Sequence, residues 1–153
     1  MARPVGEVPA PAPVQPDGVT LSEIRPHLVV PALEMVARVF SGDWAEALRR
    51  AIHAQVPAER IRVAVRGEVV VGFAMWGAYD GSPDRFGPFG VDPAERGRRI
   101  GAALLADALA VMARAGCRRA WFLWTEPDGP AFRLYQRAGF EVTRRFAIMR
   151  RML

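Results

Sequence analysis

The chain has 153 residues, 51% hydrophobic and 24% charged, enough for one domain with a buried core and too apolar for a disordered chain. Its formal charge of +5 rests on 21 arginines with no lysine, and no run reaches the roughly 18 apolar residues of a membrane helix. A single cysteine, Cys117, excludes a disulfide framework or a cysteine-built zinc site within one chain.

Residues 1–17 carry Pro4, Pro9, Pro11, Pro13 and Pro16 among Ala and Val, which predicts a flexible or extended leader. Residues 18–25 read as a first strand ended by Pro26. Residues 27–40 have helical periodicity through Val30, Leu33, Val36, Ala37 and Phe40, with Pro31 confined to the first turn. Ser41-Gly42 breaks that helix, and Asp43 is read as the cap of a second one running to about Gln55. Residues 60–66 alternate Arg with Ile61, Val63 and Val65, a half-buried strand, and Gly67-Glu68 turns it into a partner over 69–76. A Gly/Asp/Ser/Pro loop covers 77–84 and a strand follows over 85–91. The helix after Arg98 sets Ile100, Leu104, Ala108, Val111 and Ala115 on one face. A strand over 120–124, a short helix over 130–137 and a last strand over 142–149 complete the chain. The order is β-α-α-β-β-β-α-β-α-β: an α/β fold with a mixed, mostly antiparallel sheet and helices on both faces.

The segment Phe89-Gly90-Val91-Asp92-Pro93-Ala94-Glu95-Arg96-Gly97-Arg98-Arg99-Ile100-Gly101-Ala102 joins a strand to a helix. Helix N-termini carry unpaired N–H groups and the positive dipole end, so they hold phosphate. Gly97 and Gly101 permit close approach of a ligand, and Arg96, Arg98 and Arg99 add charge where a pyrophosphate would lie. Charge is uneven in the same sense: residues 1–94 hold 9 Arg against 11 acids, and residues 95–153 hold 12 against 5. A basic half suits a phosphorylated cofactor or nucleic acid, but no recognition helix or stacking strand pair accompanies it, so nucleic acid is set aside.

This segment resembles the acetyl-coenzyme A signature of the GNAT acetyltransferase superfamily: Gln or Arg, two residues, Gly, one residue, then Gly or Ala. Arg96 and Gly101 match its ends, and Arg99 replaces the middle Gly, where a helical first-turn conformation is expected. A second segment, Asp128 to Glu141, resembles the family's pantetheine-side motif through Ala131, Tyr135, Gly139 and Phe140, with Asp128 where Asn is usual. The element order is also that of the GNAT fold, and the likeness covers residues 18–153, expected as a single acetyltransferase domain.

The resemblance implies acetyl-CoA as co-substrate without a metal, held by Phe89, Gly90, Val91, Arg96, Gly97, Arg98, Arg99, Ile100, Gly101, Ala102, Asp128, Ala131 and Tyr135. It implies transfer of acetyl to a primary amine of a small molecule or peptide by direct attack. A splayed strand pair would free the Gly90-Val91 amide to polarise the acetyl oxygen, and Tyr135 would protonate the departing thiolate. Glu126 is the first choice of general base, with Asp80 and Asp84 behind it. Trp44, Trp76, Tyr79 and Phe86 are read as an aromatic acceptor pocket. His27, His53 and Cys117 have no spacing that suggests a ligand or nucleophile. The absence of an apolar N-terminal core leads to the expectation of a cytoplasmic protein without membrane partners, and a homodimer stays open. The alternative is a non-catalytic GNAT-like module that binds CoA or a partner.

Overall fold

Burial on both faces defines the central strands. In the computed structural model, which describes residues 1–4, 15–79, 82–123 and 125–145, β3 (Ile61–Arg66) and β4 (Val69–Trp76) form an antiparallel hairpin. Seven of the eight β4 residues are buried, because helices cover both sides of the sheet. Ile61, Val63 and Val65 face one core with Phe73 and Met75; Ala64 faces the other with Val71, Ala74 and Trp76. The first core is closed by α1 (Val29–Val39) and α2 (Gly42–His53), the second by α3 (Ile100–Arg114) and α4 (Pro130–Arg137).

The strand order is β2-β3-β4-β5, all antiparallel, with β2 at Thr20–Glu23 and β5 at Phe86–Val91. A two-stranded sheet, β1 (Ala2–Pro4) with β6 (Arg119–Trp121), stands beside it. Arg62 donates to both carboxylate oxygens of Asp107, at 2.7 and 3.2 Å, and so ties β3 to α3 in a half-buried ion pair.

The mixed α/β architecture is the expected one, and the β4 and α4 bounds are as read from the sequence. Three details differ. Ala2–Pro4 is not part of a flexible leader: it pairs with β6, and Ala2 exchanges both backbone hydrogen bonds with Glu141. Proline tolerates this because a three-residue strand makes few ladder bonds. Asp43 lies inside the first turn of α2, whose N-cap is Ser41. Residues 142–145 continue as non-strand backbone after the Glu141 bridge, and the rest of the expected last strand lies outside the described residues. No described helix is long and apolar enough to cross a membrane.

Candidate active site at the open edge of strand β5

β5 and β6 touch at one end only. A parallel bridge between Arg85 and Trp121, with the Trp121 N–H donating to the Asp84 carbonyl at 3.2 Å, joins them where β5 begins. From there β6 turns to β1, and among the described residues β5 pairs along its length with β4 alone. The Asp92 N–H donates to the Val71 carbonyl at 2.8 Å, which fixes the parity of the β4–β5 ladder. By the alternation of antiparallel pairs, Phe73/Gly90 is hydrogen-bonded and Gly72/Val91 is not. The Val91 N–H therefore projects away from β4, into the gap between the splayed strands.

Gly90 is demanded by its neighbour. A Cβ there would lie 2.3, 2.6 and 3.0 Å from three ring carbons of Phe40, which lies against the strand and stacks on Trp44 with centroids 4.9 Å apart. Gly72, opposite Val91 on β4, is also crowded, with a Cβ position 3.2 Å from the Gly90 carbonyl oxygen.

Beyond Val91 the chain turns into α3. The Asp92 carboxylate accepts from the Ala94 N–H at 3.0 Å and from Arg38 of α1 at 3.0 Å. The Ala94 N–H, helped by Arg38, holds this carboxyl below the usual carboxylate range against the opposing effect of burial. Glu95 takes Arg66 of β3 at 3.0 Å and Arg98 at 3.1 Å. The loop is thus fastened at two acids. Gly97 is left-handed at φ 78, and Arg99 is left-handed at φ 61 as the N-cap of α3. This corrects the helical first-turn conformation expected for Arg99: it occupies glycine's conformation while carrying a Cβ.

Arg99 gives α3 no side-chain cap, and the first turn holds no acid. The N–H groups of Ile100, Gly101 and Ala102 so remain without intrahelical partners beside exposed Arg96 and Arg99. Gly101 meets nothing closer than 3.4 Å at its Cβ position. The charge and the free N–H donors here are those that a phosphate group requires.

Tyr135 sits on the same face of the sheet. Its ring is 8% exposed and lies among Phe122, Phe140, Phe89 and Phe86, with centroids at 4.3, 5.4, 5.9 and 6.3 Å. Burial pushes its phenol well above the ordinary tyrosine value, which keeps the proton on oxygen. Asp128 is left-handed at φ 59, its carbonyl accepts from Arg133 at 2.7 Å, and exposed Ala131 lies in the first turn of α4.

The acids separate by their partners. Asp84 accepts from Arg119 at 2.6 Å and from Trp121 Nε1 at 2.8 Å. Burial would raise its pKa, but those bonds prevail and lower it, so Asp84 is an anchor of the β5–β6 junction and a poor base. Glu126 is exposed beside the α4 N-cap, its Oε2 3.9 Å from the Cβ position of Gly129. Asp80 lies outside the described residues.

The four aromatic residues expected to share an acceptor pocket do not. Trp76 and Phe86 are 1% exposed in the α3/α4 core, and Trp44 packs in the opposite core on Phe40. Tyr79 is covered by the Arg85 guanidinium 4.2 Å from its ring centroid. Strand alternation separates them, since Trp76 ends β4 pointing away from α2. Sequence reasoning missed Phe40, Phe122 and Glu95; the first two were legible only as periodic apolar positions. Among the described residues, no three His, Cys, Asp or Glu side chains group as a metal site requires.

Comparison with known proteins agrees with this geometry. Residues 30–140 match the acetyltransferase (GNAT) family model. A mycothiol acetyltransferase from Catenulispora acidiphila is 33% identical over 96% of this chain and 50% of its own length. Another from Thermobispora bispora is 31% identical over 92% and 52%. The chain therefore spans about half the length of these curated relatives. A GCN5-related N-acetyltransferase from Sphaerobacter thermophilus superposes with a TM-score of 0.69 at 28% identity, covering 90% of this chain and 45% of that one. A GNAT family acetyltransferase from Brucella melitensis, solved with acetyl-CoA, shares the fold with a TM-score of 0.62 at 21% identity, over 81% and 83% of the two chains. With two motifs in order, a splayed sheet edge and a family model over most of its length, this chain belongs to the acetyltransferase (GNAT) family.

Proposed function

We propose that the chain is an acetyl-CoA-dependent N-acetyltransferase acting on a primary amine of a small molecule or peptide. The observation that carries this reading is the placement of three features along β5: the Val91 N–H at the open edge, Tyr135 beside Phe89, and the α3 N-terminus beyond. The solved relative that holds acetyl-CoA and the relatives named for mycothiol support the same class of chemistry. Residues 18–153, with β1 paired to them, form the acetyltransferase unit in this reading.

Acetyl-CoA supplies an activated thioester. Arg96, Arg98, Arg99 and the N–H groups of Ile100, Gly101 and Ala102 bind its phosphates. Phe89, Gly90, Val91 and Gly97 line its path with backbone, and Asp128 and Ala131 border it at α4. The Val91 N–H donates to the acetyl oxygen as negative charge develops there. The amine nitrogen forms the C–N bond, the C–S bond breaks with its electron pair leaving on sulfur, and the Tyr135 hydroxyl gives that sulfur a proton. Glu126, which has no ion pair among the described residues, removes the amine's surplus proton directly or through water. The phenol is on the α3/α4 side, so the amine approaches from the α1/α2 side, past Phe40 and Trp44.

Two measurements test the reading. Calorimetry should detect acetyl-CoA binding at micromolar concentration, and thiol release across a panel of amines should show turnover. Absence of binding at high micromolar acetyl-CoA refutes it. Binding without turnover on any amine supports the non-catalytic module instead.

A further inference from the structure

Arg3 is the one charged residue among the described side chains that is buried, at 5% exposure. No carboxylate pairs with it among the described residues. Its Nε donates to the Pro4 carbonyl at 2.9 Å and its Nη1 donates to the Ala138 carbonyl. Burying a guanidinium away from water is costly unless something compensates. Here the compensation is the end of α4.

That end is closed in a specific way. The Phe140 N–H donates to the Tyr135 carbonyl at 3.0 Å and the Gly139 N–H to the Gln136 carbonyl at 2.9 Å, with Gly139 left-handed at φ 84. With the Ala138 N–H donating to the Leu134 carbonyl at 3.0 Å, these bonds satisfy three carbonyls of the last turn and leave those of Arg137 and Ala138 over. Arg3 takes that of Ala138, and places a cation at the negative end of the helix. α4 has eight residues, too short to be stable by itself, and Tyr135 is its only buried side chain. Phe132, Leu134 and Ala138 pack partly buried against the same core, and the grip on the helix ends fixes how the turn that carries Tyr135 is seated there. β1 supplies the grip at one end, held between β6 and Glu141.

We propose that Arg3 is a positioning residue for Tyr135: it clamps the C-terminus of α4 and so holds the phenol in its aromatic cage. The kinetic part of this inference rests on the acetyltransferase reading, and the spectroscopic part does not. In a Tyr79→Phe background Tyr135 is the only tyrosine, and its phenolate absorbance can be titrated directly. Arg3→Met should lower the Tyr135 midpoint toward the ordinary value near 10 as the ring gains access to water, read as a higher phenolate fraction at one alkaline pH where the parent stays folded and its ring stays protonated. Arg3→Lys, which keeps the charge and a donor, should recover most of the shift. In the thiol-release assay, Arg3→Met should lower kcat at least fivefold when Tyr135 is present and less than twofold in a Tyr135→Phe background. An unchanged Tyr135 titration in a folded Arg3→Met protein, or equal kcat losses in both backgrounds, overturns the proposal. Where circular dichroism shows that Arg3→Met does not fold, Arg3→Gln is held to the same outcomes. If the parent chain releases no thiol, the titration alone decides the role of Arg3, and the loss belongs to the acetyltransferase reading.

Discussion

Gly90→Ala is the sharpest perturbation the site offers. The added methyl would lie 2.3 Å from one Phe40 ring carbon and 2.6 Å from another, where carbon atoms in contact keep about 3.5–4.0 Å. Backbone strain plays no part, since Gly90 is absent from the left-handed residues and sits in a regular strand. The ring must move by about 1 Å or more, and it is not free to do so. It stacks on Trp44 at 4.9 Å and tilts against Phe73 at 5.9 Å. Overpacking of this kind costs about 1–3 kcal/mol. For a chain of this size roughly 2 kcal/mol lowers Tm by about 4–8 °C. Thermal melts of parent, Gly90→Ala, Phe40→Leu and the double variant measure it. The double variant should recover at least half of the Gly90→Ala loss, giving a coupling of about 1 kcal/mol. A Tm loss below about 1 °C for Gly90→Ala, or the same loss with and without the Phe40 ring, refutes the reasoning. The same series reports on function: displacing β5 at Gly90 moves the Val91 N–H, so kcat should fall more than the affinity for acetyl-CoA.

Tyr135→Phe keeps the ring and removes the proton donor, so kcat should fall by about 10²-fold with cofactor affinity nearly unchanged; a fall under threefold makes Tyr135 a packing residue. Arg96→Glu with Arg98→Glu should weaken acetyl-CoA binding at least tenfold by calorimetry, about 1.4 kcal/mol, and an unchanged affinity would put the phosphates elsewhere. Arg99→Gly should raise Tm, because the left-handed N-cap costs a residue with a Cβ about 1–2 kcal/mol, partly offset by the chain entropy of glycine; a lower Tm refutes the strain. The Asp92 carboxyl is depressed in the folded chain, so its contribution is present above the unfolded value near 4 and is lost as pH falls through the folded value. Urea melts should therefore show the gap between parent and Asp92→Asn shrinking as the pH falls below the unfolded value near 4, and a gap that widens with acid contradicts the assignment.

The sheet and helices were legible because two periodicities do most of the work. Ile61, Val63 and Val65 alternate as a half-buried strand must, and α3 repeats its apolar face every three to four residues. The turn between β5 and α3 was legible because its glycines and arginines gather between two periodic apolar segments. What stayed hidden depends on contacts between segments far apart in sequence. Ala2–Pro4 looks like a leader because three residues carry no period, and only Trp121 and Glu141 make them a strand. Trp44, Trp76, Tyr79 and Phe86 are chemically alike, and the face each one takes is decided by strand parity and helix packing. Composition could not assign it.

The distribution of charge around the loop explains how a basic half can be specific. Arg66 and Arg98 share Glu95, and Arg38 is paired with Asp92, so these cations are already partly neutralised before a ligand arrives. Exposed pairs of this kind contribute little to stability, about 0–1 kcal/mol each, so their value lies in geometry. They pin the loop to α1 and β3 while Arg96 and Arg99 stay exposed without ion pairs among the described residues. A polyanion that meets only a basic surface would find cations facing their own acids. Under the proposed function, a pyrophosphate at the start of α3 would meet free N–H groups and the guanidinium groups of Arg96 and Arg99 in one place. Binding there should weaken with salt as screening sets in, and more gently than the steep power-law loss of a protein that neutralises many phosphates on a nucleic acid.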